Sequence, residues 1–319
     1  NVGRFIPDHF RVSNSTVSFR DACPAGNFTY LDQPFYFHNA PIVTLTAENV
    51  QNATTDNYGE NFWKFSNTTT DYLDSRYYID QANASASLNA TLMDIATVSG
   101  QKNFDGRFTF SLHAGSSGDQ FRYEKNGTEA PFNATVDLIL EQSDLEDDDD
   151  VCYQVNGSCS DYMIEDITGT ELRYGRAIAN NAYGSELLPL KNIALRTEYY
   201  DGSSFATNTN DTCTEYNATD IVWNNATYGG EGNLTTGDLA SSGKGTLVEG
   251  EGSYSVHNAS DPNTGPGETG YVDYRFPVPA WLRYDWNDNG TRSNPPARAT
   301  FGIYKGNEHI IYQQETTWK

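Results

Sequence analysis

This chain is poor in basic residues, histidine, methionine and cysteine. Lys and Arg number 20 against 43 Asp and Glu, for a net charge of −23. Such a surface repels phosphate backbones, which excludes nucleic acid as a partner. The histidines (His9, His38, His113, His257 and His309) have no HxH or HExxH spacing, so no catalytic zinc is written here. Neither a G-x-S-x-G elbow nor a P-loop is present. No apolar run approaches the ~20 residues of a membrane helix, so no transmembrane segment is expected. No long stretch has helical periodicity. A signal peptide is also missing. Asn1 opens directly on strand-like sequence, which reads as a mature or trimmed chain whose export signal is gone.

What the chain does have is aromatic and β-branched sequence broken by turn residues. It holds 21 tyrosines and 16 phenylalanines. Thr, Tyr, Phe and Val suit pleated, half-buried surfaces, while Asn, Asp and Gly suit the turns between them. The clearest hairpin writing runs from Glu171 to Cys213. Leu172, Tyr174, Arg176 and Ile178 fall on one face of an extended segment, and 180–184 supply turn residues. Ile193, Leu195, Thr197 and Tyr199 then alternate with Ala194, Arg196, Glu198 and Tyr200. Asp201-Gly202 follows, a pair that tolerates the positive φ of tight hairpin turns.

Four cysteines allow three pairings. Cys152 and Cys159 enclose a short polar loop with an Asn156-Gly157 turn, which a disulfide closes easily. The remaining pair, Cys23 and Cys213, ties the N-terminal part to the central hairpin. That long closure restricts the unfolded chain by roughly 4–5 kcal/mol in the entropy account. The rival reading, a four-thiolate metal site, lacks any C-x-x-C spacing.

The N-x-S/T pattern occurs fifteen times: at Asn14, Asn27, Asn52, Asn67, Asn83, Asn89, Asn126, Asn133, Asn156, Asn210, Asn217, Asn225, Asn233, Asn258 and Asn289. The chain's Ser and Thr content would supply about five by chance. The excess predicts N-glycosylation, with these asparagines on turns and outward strand positions.

Several blocks resemble one known family. They are Tyr174-Gly175-Arg176, the 181–187 stretch NAYGSEL, Leu195-Arg196 with Glu198-Tyr199-Tyr200, and Asp211-Thr212-Cys213-Thr214. Near the start stand 3–10 (GRFIPDHF) and 28–35 (FTYLDQPF); near the end, 281–286 (WLRYDW), 297–304 (ARATFGIY) and Ile311-Tyr312. In order along the whole chain, these are similar to the C-terminal region of MshQ-like proteins. Those are large exported proteins encoded with the mannose-sensitive haemagglutinin (MSHA) type IV pilus of bacteria. The resemblance implies an exported, surface-associated, pilus-linked or adhesive protein, and it brings no catalytic residues with it.

The expected fold is all-β, with one or two β-sandwich-like lobes and long glycosylated loops. Lobes near 1–145 and 166–319 flank an acidic, disulfide-closed connector at 146–165, because the Glu146–Asp150 run resists packing. Further strands are expected at 42–47, 62–65, 77–79, 86–92, 95–98, 107–113, 134–140, 246–248, 254–256, 271–276, 299–304 and 309–313. Asp285-Trp286-Asn287-Asp288-Asn289-Gly290 matches the first half of a calcium loop, with Asp285 and Asn287 as candidate ligands; Pro296 stands where the closing glutamate belongs. Trp281 and Trp286 are the candidate sugar platforms among five tryptophans. The pair Glu141 and Asp144 imitates a glycosidase dyad, an arrangement common by chance in so acidic a chain. Together these features predict a non-enzymatic extracellular glycoprotein at the cell surface. It would need no cofactor, apart from the calcium option. It would self-associate into a filament or join neighbouring surface proteins, by exchange of terminal strands near 5–12 or 309–318. The alternative is a carbohydrate-binding adhesin module that takes glycan ligands.

Overall fold

A computed structural model describes residues 6–59, 62–64, 77–82, 84–90, 99–103, 105–112, 119–229, 234–258 and 268–302. The strands expected at 95–98 and 309–313, and the acceptors Asn67, Asn83 and Asn233, lie outside the described residues. The fold is all-β, built of several mostly antiparallel, sandwich-like sheets. Its helical pieces are short 3-10 turns such as Gln142–Leu145 and Ala218–Asp220. No described helix is long and apolar enough to cross a membrane. Two disulfides, Cys23–Cys213 and Cys152–Cys159, use all four cysteines. Such bonds persist in oxidising compartments.

The chain forms two compact units. The first takes Asn1–Arg176, Glu198–Cys213 and Ala280–Leu282; the second takes Ala177–Thr197, Thr214–Pro279 and Arg283–Lys319. The division falls inside two strands, Gly175–Ala179 and Leu190–Tyr200.

In the first unit, His9–Asn14, Ile42–Glu48, Arg107–Ser111 and Ser99–Lys102 form one antiparallel sheet in that order. Leu45 sits opposite both Val12 and Phe108, and Val43 opposite Phe110. Period-two alternation sends Phe108 and Phe110 inward, as the sequence predicts. A second sheet joins Ser18–Arg20, Phe35–Asn39, Gln120–Tyr123 and Leu88–Asn89. Phe19, Phe35, Phe37 and Phe121 meet there with ring centroids 4.8–5.6 Å apart. Each such ring contributes about 1.5–3 kcal/mol by leaving water.

Three expectations change in this unit. The aromatic segment at 62–65 is no strand over its described part: Phe62 closes a turn on the Gly59 carbonyl, and Trp63 is buried flat against Phe10 at 5.7 Å. A large ring gains more from the core than from a ladder here. The 172–178 face also breaks. Leu172 and Tyr174 are buried, but the parity then flips to Gly175, Ala177 and Ala179. A Cβ on Gly175 would lie 2.3 Å from the Tyr30 ring, so the backbone itself fills the place of a side chain. The acidic run lies within this unit and is not wholly solvated. Asp147 is buried, accepts the N–H groups of Asp149 and Val151, and receives the Tyr58 hydroxyl.

In the second unit two sheets face one another. Ile193, Leu195, Tyr254 and Val256 from one share a core with Val272, Tyr274, Ala299 and Phe301 from the other. Residues 182–184, expected in a turn, instead form a strand parallel to Ala299–Phe301. The Asp201-Gly202 hairpin is present in the first unit, with Tyr200 opposite Phe205. Across the second unit's core the Tyr254 and Tyr274 hydroxyls meet at 2.7 Å. Burial pushes both phenols up, Tyr274 to about 12. A phenol whose folded value is raised contributes stability below its unfolded value of 10.0, lost as pH rises through the folded value.

Two outcomes follow. Gly175→Ala should lose about 1–3 kcal/mol in a denaturant melt. Gly127→Ala, with nothing within 4 Å of its Cβ, should stay within ~0.5 kcal/mol; equal midpoints would refute the Tyr30 contact. For the tyrosine pair, Tyr254→Phe alone should cost about 1–2 kcal/mol at pH 7, and the double Phe variant should recover part of that. Absorbance titration should show these phenols ionising only with alkaline unfolding.

Candidate functional site

The outward face of one sheet in the second unit forms an open groove of about 810 Å³. Its strands are Ala182–Gly184, Pro296–Phe301, Gly270–Arg275 and Val222–Gly229, in that order. Alternation explains the lining. Val272 and Tyr274 point to the core, so Asp273 and Arg275 face out; Ala297 and Ala299 point in, so Pro296 and Arg298 face out. Asp273 sits opposite Arg298 in the ladder, and the two form a bidentate ion pair at 2.6 and 2.9 Å. The Arg298 guanidinium lies 4.2 Å over Tyr271, and hydrogen bonding to Asp273 raises its pKa further. Asn181 Oδ1 accepts the Arg298 backbone N–H at 2.8 Å.

At the other end of the groove, Arg275 donates both Nη1 hydrogens, to Ser293 Oγ at 2.9 Å and to the Asn294 carbonyl at 2.8 Å. Trp223 lies against Tyr274 with centroids 5.3 Å apart, half-buried, and Val222 beside it is 64% exposed. The groove thus offers an apolar side chain, the amides of Asn181 and Asn294, and two guanidinium groups against one carboxylate, while the Trp223 ring packs with Tyr274 against the core.

The residues singled out from sequence lie elsewhere. Trp281 belongs to the first unit and is half-buried, its carbonyl accepting the buried Lys125 ammonium at 2.9 Å. Trp286 belongs to the second unit and packs edge-on to Tyr284 at 5.1 Å. Neither lines the groove. The groove was passed over because Val222 and Arg275 are some fifty residues apart in sequence; only the ladder puts them opposite one another.

The calcium-like loop is closed by its own backbone. Asp285 accepts N–H groups from Asn287 at 3.3 Å, Asn289 at 3.1 Å and Gly290 at 2.6 Å. These bonds, that from Asn289 first, hold the Asp285 carboxyl below its usual range. Among the described residues no three His, Cys, Asp or Glu gather as a metal site. Glu141 and Asp144 flank one 3-10 turn, joined by a backbone bond from the Asp144 N–H to the Glu141 carbonyl.

Among the N-x-S/T asparagines whose exposure is described, none is buried. Asn14, Asn27, Asn52, Asn126, Asn133, Asn156, Asn210 and Asn289 are exposed, and Asn89, Asn217 and Asn258 are half-buried. Asn27, Asn52 and Asn156 have positive φ, at turns. The fully buried Asn208 is not an acceptor.

This is a disulfide-bonded, all-β protein of two units. Residues 1–166 match DUF6701, third domain, and residues 173–316 match DUF6701, fourth domain, so the chain belongs to the DUF6701 family. No curated protein matches it, and no solved structure does.

Acid titration checks the Asp285 loop. Its depressed folded value means the loop's stabilisation is present above about pH 4 and lost as pH falls through that folded value. The Gly290 amide resonance should therefore shift with a midpoint below 3.8. A midpoint at or above 3.8 would contradict the hydrogen bonds described.

Proposed function

We propose that this chain is a non-enzymatic extracellular glycoprotein that serves as a structural or adhesive part of a cell-surface filament. The observation that carries this reading is the placement of the N-x-S/T asparagines. Every one whose exposure is described reaches solvent, in a chain where such sites stand well above chance. Glycans need that access. Two disulfides support an oxidising, exported setting. Resemblance to MshQ-like proteins supports a pilus-linked role.

Assembly by strand exchange takes a specific form here. His9–Asn14 already pairs with Ile42–Glu48, and Phe10 and Val12 are buried. On its other side the Phe10 N–H donates to the Cys152 carbonyl at 2.8 Å. An exchanged strand would therefore leave its own sheet and enter the same place in a second copy, as in domain swapping. Deleting residues 1–12 removes two core side chains, so intact protein is the proper material for a test.

The alternative is a carbohydrate-binding adhesin module, favoured by the groove at Trp223.

Electron microscopy of the native particle, with glycopeptide mapping of the same sample, tests the first reading. The expected result is a repeating filament with glycans on the exposed acceptors, Asn14, Asn126 and Asn289 among them. Isolated particles with bare asparagines throughout would sink it.

A further inference from the structure

We infer that the Trp223 groove binds an acidic sugar at the end of a glycan, with Arg275 as the residue that takes its carboxylate. This deepens the adhesive side of the function proposed above and rests on that side alone.

Basic residues are outnumbered 20 to 43 in this chain. The groove nevertheless holds Arg275 and Arg298 against a single carboxylate, Asp273. Asp273 is engaged in both oxygens by Arg298. Arg275 has no carboxylate partner among the described residues; neutral oxygens of Ser293 and Asn294 hold it. Both of those bonds use Nη1, which carries two hydrogens. The Nε–Nη2 edge keeps its two parallel N–H groups. That edge is the fork that receives a carboxylate side-on. A guanidinium fixed at one nitrogen is also pre-organised, so less freedom is lost when an anion docks.

The surroundings select the rest of the ligand. Asn181 carries an amide of the kind that hydrogen-bonds hydroxyls, and Val222, exposed and opposite Arg275 in the ladder, offers apolar surface. A sugar ring presents both kinds of group at once: C–H groups for the Val222 side chain, hydroxyls for the amide. A densely charged polyanion is disfavoured by the net charge of −23. A glycan with one terminal carboxylate avoids that repulsion.

The test is a glycan array probed with the full, natively glycosylated chain. Acid-terminated glycans are printed beside the same glycans with the carboxyl reduced to an alcohol, and beside acidic peptides. The acidic form should bind at least about tenfold more tightly than its reduced twin, and added salt should narrow the gap. Arg275→Gln should abolish the preference, and Arg275→Lys should recover only part of it, because an ammonium lacks the fork. Arg20→Gln, in the first unit, should change nothing. Matching thermal melts for the variants would rule out loss of fold, and Arg275→Lys serves if Arg275→Gln melts early. Equal binding of acidic and reduced glycans, a preference that survives Arg275→Gln, binding confined to the peptides, or no glycan binding would each overturn the inference. A filament seen by microscopy would stand in any of these cases.

Discussion

The first unit depends on one buried hydroxyl, that of Tyr30. It donates to Asp211 at 2.9 Å and accepts from the Asn208 side chain at 2.7 Å. Asn208 in turn accepts from Arg173 at 2.6 Å, and Arg173 lies over the rings of Phe28 and Tyr199. The Cys23–Cys213 bond ties the same stretches covalently, and Asp211 caps the Cys213 N–H at 3.2 Å. Segments far apart in sequence are thus held by one continuous polar network. Removing the Tyr30 hydroxyl would take one hydrogen bond each from Asp211 and Asn208, at a cost of about 1–3 kcal/mol. The Tyr30 ring also explains Gly175, since no larger residue fits against it.

That arrangement recurs and answers a problem posed by composition. An acidic chain must bury some carboxylates, and a buried charge is expensive unless it is hydrogen-bonded. With few Lys and Arg to share, the interior uses phenols. Tyr58 donates to Asp147, Tyr78 to Asp119, and Tyr123 to Asp80 at 2.6 Å. Burial and the Asp80 carboxylate push the Tyr123 phenol up, which keeps it a donor. Tyr30, Tyr58, Tyr78 and Tyr123 therefore serve both as packed rings and as neutral partners for acid.

Local patterns were legible where one residue's neighbours decide its state. Phe108 and Phe110 alternate inward because the ladder has period two, and Asp201-Gly202 turns because its backbone tolerates the φ required. Cys152 and Cys159 close a loop so short that few other pairings could compete. Patterns misled where a distant partner won. Trp63 left a strand for the Phe10 ring, and 182–184 left a turn for the edge of 299–301. The hydrogen bonds that the loop's own amides make to Asp285 were not legible either. The groove was illegible because its lining comes from strands 222–229, 270–275 and 296–301 together with Asn181 and Asn294, segments far apart in sequence.

The order of residues alone determined an all-β, disulfide-bonded, strongly acidic chain rich in N-x-S/T asparagines. Those traits follow from propensity, spacing and charge, which act over a few residues. Only the folded chain decided that the units are discontinuous in sequence, that Tyr30 stands beside Asp211, and that Arg275 lies opposite the exposed Val222. Each of those depends on which strands become neighbours. Strand pairing is chosen by the burial of whole faces against one another, and no single segment carries that information.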